Sequence, residues 1–474
     1  MIEKHLWIGG KPHPAKTYRT LRSPYSGEAL ASIAEADEEE TGLAIESACR
    51  AAAVMRDMPA HKRAAILEKV VQLLGDRAEE AAVIIAKEAA KPISAARAEI
   101  ARTMATYKFS AEEAKRISGE TIPLDAAPGG EGRLAFTKFE PLGVIGAITP
   151  FNFPFNLVAH KLGPAIAAGN AVVLKPASQT PLSAFFIGEL FQQAGLPDGA
   201  LNIVTGSGKI VGERIVADSR VRKITFTGSP EVGIALRSRA GLKRVTLELG
   251  SNSAVIVDRG TDIGRIVQRC VTGAFSYQGQ VCISVQRVYV HEEIYESFTA
   301  QFVEAVRQLR LGDPLDEKTD VSALISEQEA DRVMSWIEEA KNSGAVVAAG
   351  GIREGGIIHP TVLLEASPHL SVSCREAFAP IVVIGKVRSI DEAVDLANDS
   401  RYGLQAGIYT NDITTALRAA DRLQVGGVMI NDIPTYRADH MPYGGVKESG
   451  YGREGVKYAM RDMMEMKLVV INRE

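Results

Sequence analysis

Cys282 is the residue in this chain best placed to act as a nucleophile. It lies in Phe275–Val290, FSYQGQVCISVQRVYV, just after the turn residues Gln278, Gly279 and Gln280 and ahead of an apolar, β-branched run that ends at Val290. A thiol held at the lip of a turn and backed by a buried strand can be offered to a ligand. A lone cysteine is otherwise most often a small buried hydrophobe. Arg287, five positions after the thiol, reads as structural.

Four other stretches carry groups that could serve such a thiol. In Thr149-Pro-Phe-Asn-Phe-Pro154 two prolines stiffen a loop around one amide, Asn152. Rigid placement is what an oxyanion donor requires, although asparagine more often simply forms turns. In Leu247-Glu-Leu-Gly250, Glu248 interrupts an apolar strand before a glycine, so it faces either solvent or a pocket. Leu174-Lys-Pro-Ala-Ser178 sets Lys175 at a strand end, where it can reach hydroxyls or a phosphate or stand as a solvated loop lysine. Phe226-Thr-Gly-Ser-Pro-Glu-Val-Gly233 turns at Gly228 and opens a helix with Ser229 as cap and Pro230 in first position. Its free N–H groups favour an anion, and an ordinary capped turn would look the same. Gly206–Gly212 resembles a dinucleotide fingerprint only weakly: its spacing is G-x-G-x-x-x-G, and no acidic residue is well placed some 20 positions later.

The elements that must position these groups follow from periodicity. Residues 1–36 read as a short strand, a turn at Gly9–Gly10 and a polar segment. From Asp37 to Arg116 apolar residues recur at helical spacing, with Asp37 and Ser94 as candidate caps and Pro92 as a break. Ser118–Glu140 reads as a protruding hairpin. From Gly143 to Val257 the strands Val144–Ile148, Ala171–Leu174, Leu201–Val204, Lys223–Phe226 and Val245–Leu249 alternate with the helices Leu157–Ala168, Leu182–Ala194 and Pro230–Ala240. That alternation predicts a parallel sheet with helices on its faces, an α/β fold. A second α/β stretch runs from Ala254 to about Gly427, with helices near Ile263–Phe275, Glu293–Leu309 and Glu327–Asn342. The tail Lys467–Asn472 is a strand that needs a sheet, and the hairpin of this subunit or of a neighbour could supply it.

Bulk properties narrow the classes. A chain of 474 residues exceeds one core, so two or three domains are expected. A net charge of −4 without a long basic run argues against nucleic acid. Neither a signal-peptide core nor an apolar run of membrane length is present, and the expected location is the cytoplasm. The four cysteines, Cys49, Cys270, Cys282 and Cys374, form no metal or disulfide pattern, so no metal is expected.

Taken together, Asn152 in PFNFP, Lys175 in KPAS, Gly228 and Gly233 in FTGSPEVG, Glu248 in ELG, Cys282 in GQVC, and Glu376 and Phe378 in REAFAP resemble the aldehyde dehydrogenase superfamily. The resemblance spans the whole chain, including MPYGGVKESGYGREG at Met441–Gly455. It implies a Rossmann-like cofactor domain over 1–117 and 141–249, an α/β catalytic domain over 250–440, and a small β oligomerisation arm and tail over 118–140 and 441–474.

It also implies roles. Cys282 would be the nucleophile, Asn152 with the Cys282 backbone N–H the oxyanion hole, and Glu248 the general base. Lys175, Ser178, Gly228 and Ser229 would hold adenosine and pyrophosphate, Glu376 the nicotinamide ribose, and Phe378 would pack beside the ring. Thr149, Pro150, Phe151, Gly208, Gly212, Phe226 and Leu249 complete the implied cofactor-binding set. Ser178 is small and neutral where an acidic residue would repel a 2′-phosphate, so both NADP and NAD are expected. Arg102, His160 and Arg437 would border the substrate tunnel and suit an acid-tailed aldehyde of the lactaldehyde, glyceraldehyde-3-phosphate, sulfolactaldehyde, phosphonoacetaldehyde or succinate semialdehyde type; surface or core pairing is the alternative for each. A base at Glu248 favours hydrolysis to the free acid over acyl transfer to coenzyme A, and the third alternative is a silent structural relative. A homodimer or homotetramer is expected.

Overall fold

A computed structural model describes residues 2–473; Met1 and Glu474, the outer ends of two of the expected spans, lie outside them. Among the described residues the chain builds two large sheets, of eight and seven strands, two three-stranded sheets and two two-stranded ones. In the first, five parallel strands stand in the order Arg244–Glu248, Val221–Thr227, Val144–Ile148, Ala171–Lys175, Leu201–Ile203. Antiparallel strands extend both edges: Gly450–Tyr451 beside Arg244–Glu248, and Leu6–Ile8 with Lys11–His13 beside Leu201–Ile203.

Strands Val144–Ile148 and Ala171–Lys175 are buried at every position, as a parallel sheet covered on both faces requires. The covering helices include Glu38–Asp57 and Asn156–Ala168. The first starts on a capping box, Asp37 and Glu40 each accepting the other's backbone N–H. Such a cap stabilises a helix by about 1 kcal/mol. Ser94 caps nothing: the helix Ile93–Ala114 already begins one residue earlier, behind Pro92. Every residue of Asn156–Ala168 is buried, including His160 and Lys161.

The second sheet runs Val346–Ala349, Thr361–Leu364, Ile381–Val387, Arg287–His291, Ala254–Val257, Gln405–Tyr409, Gly427–Ile430, all parallel except the first strand. Arg287 is structural here, donating to the carbonyls of Asn252, Leu396 and Ala397 at 2.9–3.1 Å. One of the three-stranded sheets joins the segments expected to form a hairpin and a tail strand. Thr121–Ile122 pairs with Arg133–Pro141, and the tail Met464–Asn472 lies antiparallel along the same strand, within this subunit. The tail is that sheet's edge and leaves Met466, Leu468, Val470 and Ile471 exposed.

Candidate active site

The carboxyl ends of the first sheet's strands face the second sheet across a cleft, the expected ligand position in an open α/β sheet. Two cavities lie there, of about 680 Å³ and about 740 Å³, and they share the Pro150–Phe151 and Thr227–Ser229 walls. Cys282, Asn152 and Glu248 line the first, with Leu249, Glu376 and Phe378. Thr149, Lys175, Ser178, Gly208, Gly212 and Phe226 line the second. Residues from seven separated motifs therefore meet in one cleft.

The thiol rides on a strained turn. Tyr277, Gln278 and Gly279 have φ of 49°, 56° and 69° in succession, so the left-handed stretch begins two residues before the predicted glycine. Each non-glycine residue in that region costs roughly 1–2 kcal/mol. Side chains hold the turn in place. Tyr277 Oη donates to Ala89 O at 3.2 Å, and Gln278 Nε2 donates to Ala90 O at 2.8 Å and Ala323 O at 2.9 Å. Burial pushes the Cys282 thiol up to about 11, against the hydrogen bond from Tyr443, whose Oη lies 3.0 Å from Sγ. No sequence reading singled out Tyr443.

Asn152 is fixed from both ends. Its backbone carbonyl accepts from Lys91 Nζ at 2.5 Å, and its Nδ2 donates to Gln280 O at 3.0 Å, while its Oδ1 is buried without a partner. Lys91 is paired with Glu99 at 2.5 Å, and Glu99 also accepts the N–H groups of Phe155 and Asn156 at 2.9 and 3.1 Å. Lys91 and Glu99 went unread in the sequence because the loop groups they hold, at Asn152 and Phe155, lie 61 and 56 positions away.

Glu248 ends the strand Arg244–Glu248 and is buried with neither carboxylate oxygen bonded to a protein group. Desolvation, then the charge of Glu454, holds its pKa well above the carboxylate range. Its main chain is anchored: Gly228 N–H donates to Glu248 O at 3.0 Å, and Leu249 N–H to Ser449 O at 3.0 Å. Glu454, by contrast, accepts from Lys161 at 3.0 Å and Arg437 at 2.9 Å, and those cations overcome burial to keep it ionised. Lys161 could have been found from sequence, since a lysine in the apolar helix NLVAHKLGPAIAA needs a buried partner.

Lys175 is buried and bonds only the carbonyl of Pro176, at 3.1 Å; burial, then Arg19, lowers it to about 8. Arg19 reaches the same loop by donating to Ser178 O at 2.6 Å. Ser229 caps the helix Pro230–Arg239 by accepting from Val232 N–H. A buried ammonium without a carboxylate, facing a helix N-terminus across a cleft, fits the phosphates of a dinucleotide. Glu376 accepts from Ser251 N–H at 3.0 Å, and desolvation raises it to about 7. Phe378, at φ 47°, meets Phe151 edge to face at 5.7 Å.

The three cations proposed for substrate line neither cavity. Arg102 and His160 both bond Asp439, at 2.7 and 2.9 Å, as does Asn156 Nδ2 at 3.0 Å. Burial, then Arg437, holds His160 below its usual range. Arg437 packs 3.6 Å above the Tyr443 ring, and its Nε is buried without a partner. Among the described residues no cluster could hold a metal ion, and no helix is long and apolar enough to cross a membrane.

A thiol, an amide, an unpaired carboxyl and a cleft with a buried ammonium and a helix N-terminus thus share one site. Residues 11–469 match the aldehyde dehydrogenase family, and the chain belongs to that family. It is 45% identical over 467 residues to a 3-sulfolactaldehyde dehydrogenase of Priestia aryabhattai, covering 98% of both chains. Aldehyde dehydrogenase 21 of Physcomitrella patens, solved with its reaction product succinate, superposes with a TM-score of 0.97 at 41% identity, over 100% of this chain and 98% of that one. A glyceraldehyde-3-phosphate dehydrogenase of Methanocaldococcus jannaschii complexed with NADP superposes at 0.93 and 40% identity, over 96% and 100%. The mixed α/β architecture is that of aldehyde dehydrogenases.

Proposed function

We propose that this enzyme oxidises a small, acid-tailed aldehyde to its carboxylic acid with NADP or NAD. The observation that carries the reading is the pair of unpartnered Glu248 oxygens in the cavity that Cys282 and Asn152 also line. A buried carboxyl without a partner is costly in a fold and useful as a proton acceptor.

Lys175, Ser178 and the Gly228–Ser229 turn would hold adenosine and pyrophosphate, with Thr149, Pro150, Phe151, Gly208, Gly212, Phe226 and Leu249 shaping the cleft and Glu376 and Phe378 at its nicotinamide end. When bound, the nicotinamide accepts a hydride. The protein's part is the sulfur chemistry. The Cys282 thiolate adds to the aldehyde carbon to give a thiohemiacetal, whose oxyanion takes hydrogen bonds from Asn152 Nδ2 and the Cys282 N–H. After oxidation the acyl group sits on sulfur as a thioester. Glu248 takes a proton from water as the water attacks, and the acid leaves. Acyl transfer to coenzyme A needs no such base, so Glu248 favours hydrolysis.

None of the three cations lines either cavity. Arg437, which sits over the ring of Tyr443 beside the Cys282 sulfur and does not bond Asp439, is the one assigned to the acidic tail; Arg102 and His160, shared with Asp439, would act by shaping that end. The related sulfolactaldehyde dehydrogenase and the succinate complex support an anionic three- or four-carbon substrate. The first sheet would serve the cofactor, the second the chemistry, and the apolar tail strand would seat a second copy in a dimer or tetramer. Four free cysteines fit a cytoplasmic setting.

Absorbance at 340 nm with sulfolactaldehyde, lactaldehyde, glyceraldehyde 3-phosphate and succinate semialdehyde, each with either cofactor, tests this. The acidic aldehydes should show the higher kcat/KM, and Arg437→Ala should raise KM for them about tenfold or more while sparing lactaldehyde, from the loss of a charge-assisted contact. Equal efficiency across the panel would remove the acid-tail assignment.

A further inference from the structure

We propose that Tyr443 is a catalytic residue, its phenol donating a hydrogen bond to the Cys282 thiolate both when sulfur attacks and when it leaves. This rests on the thioester reading above but is separable from it by experiment.

Four observations converge. Tyr443 Oη lies 3.0 Å from Cys282 Sγ and has no other hydrogen-bond partner among the described residues. The Tyr443 ring is 3% exposed, while Cys282 is half-buried and lines the cavity. Its placement is rigid, since Tyr443 and Glu454 exchange backbone hydrogen bonds at 3.1 and 2.7 Å. One face of the ring is covered by Arg437, 3.6 Å from the centroid and itself bonded to Glu454 at 2.9 Å.

The direction of the bond follows from the chemistry of the two groups. Burial holds the phenol well above its ordinary range, so the oxygen keeps its proton and the sulfur is the partner that ionises. A hydrogen bond to the charged form favours that form. The guanidinium over the ring face also favours the thiolate through its charge.

The same contact then serves two steps. In attack, a sulfur lone pair forms the C–S bond and the carbonyl π pair moves to oxygen. In release, water adds to the thioester carbon, its proton passes to Glu248, and the C–S bond breaks with its pair returning to sulfur, where the phenol O–H meets it. Gly444 ties the two ends together. At φ 153° it follows Tyr443 directly, and a Cβ there would lie 3.0 Å from Glu248 Oε1. The turn that carries the phenol is thus the turn against which the base packs.

Tyr443→Phe removes one oxygen and keeps the ring under Arg437. The rate at which iodoacetamide alkylates Cys282, followed by mass spectrometry of its peptide across pH without aldehyde or cofactor, reads the thiol directly. Loss of the hydrogen bond should raise the midpoint by about one unit, within the usual range for such a bond. A thiolate gains intrinsic reactivity with basicity at a slope near one half. The variant should therefore react about threefold more slowly below the wild-type midpoint and about threefold faster on the upper plateau, so the two profiles cross. A variant that merely loosens the site would shift both limbs in one direction. Superimposed profiles, or a uniform offset with an unmoved midpoint, would overturn the proposal. Because no substrate is present, the result stands whether or not the aldehyde assignment does.

Discussion

Two buried glutamates, Glu99 and Glu248, have opposite surroundings. Glu99 accepts from Lys91, Phe155 N–H and Asn156 N–H, all within 3.1 Å. Glu248 accepts from no protein group, although it is as deeply buried. The first holds a loop in place, and the second is free to take a proton. Where the fold meets every polar demand it is building structure; where it leaves a buried carboxyl unmet, it is reserving a group for chemistry.

Substitution at the two sites should separate these roles. Glu248→Ala is expected to lower steady-state turnover by about 10²- to 10⁴-fold, the range for loss of a general base, while a first burst of reduced cofactor persists in stopped flow. Its denaturation midpoint should not fall, since an unpaired buried acid is being removed. Unchanged turnover would end the base assignment.

Glu99→Ala should act in the reverse sense. It strands the buried Lys91 ammonium over the Phe153 and Tyr277 rings, and breaking a buried ion pair costs about 3–5 kcal/mol of stability. A urea titration checks this, and a loss below about 1 kcal/mol, the level of an exposed pair, would mean the contrast is unfounded.

The smallest effect concerns a buried lysine of intermediate standing. Lys175 is depressed to about 8 by burial and Arg19, so it is charged below that pH and neutral above it. A 2′-phosphate favours the charged form. The preference for NADP over NAD should therefore hold below pH 8 and fall as pH rises through it, by up to about tenfold per unit. Titration of the two Kd values across pH 6.5–9.5 measures it. A flat ratio would show that Lys175 does not face the phosphate.

Much of the molecule was legible from sequence because its signals are local. The alternation of Val144–Ile148, Ala171–Leu174 and their helices gave the first sheet to within a residue or two at most boundaries. Cys282, Asn152 and Glu248 sit in short motifs whose order carried the family resemblance. The residues that escaped are those whose meaning lies in a distant partner. Tyr443 is one aromatic in a glycine turn until the fold sets it 161 positions back along the chain, against Cys282. Asp439 is an ordinary loop acid until Arg102, Asn156 and His160 close on it, and that closure explains why two expected substrate cations line neither cavity.

The turn ahead of the thiol has a mechanical side. Gly279, at φ 69°, presses so closely on the strand-entry loop opposite that a Cβ would lie 2.2 Å from the carbonyl oxygen of Ala379. That loop also carries Glu376 and Phe378. The two backbones touch with no side chain to cushion them, like meshed gears. With that little clearance, neither backbone can move towards the other without displacing it.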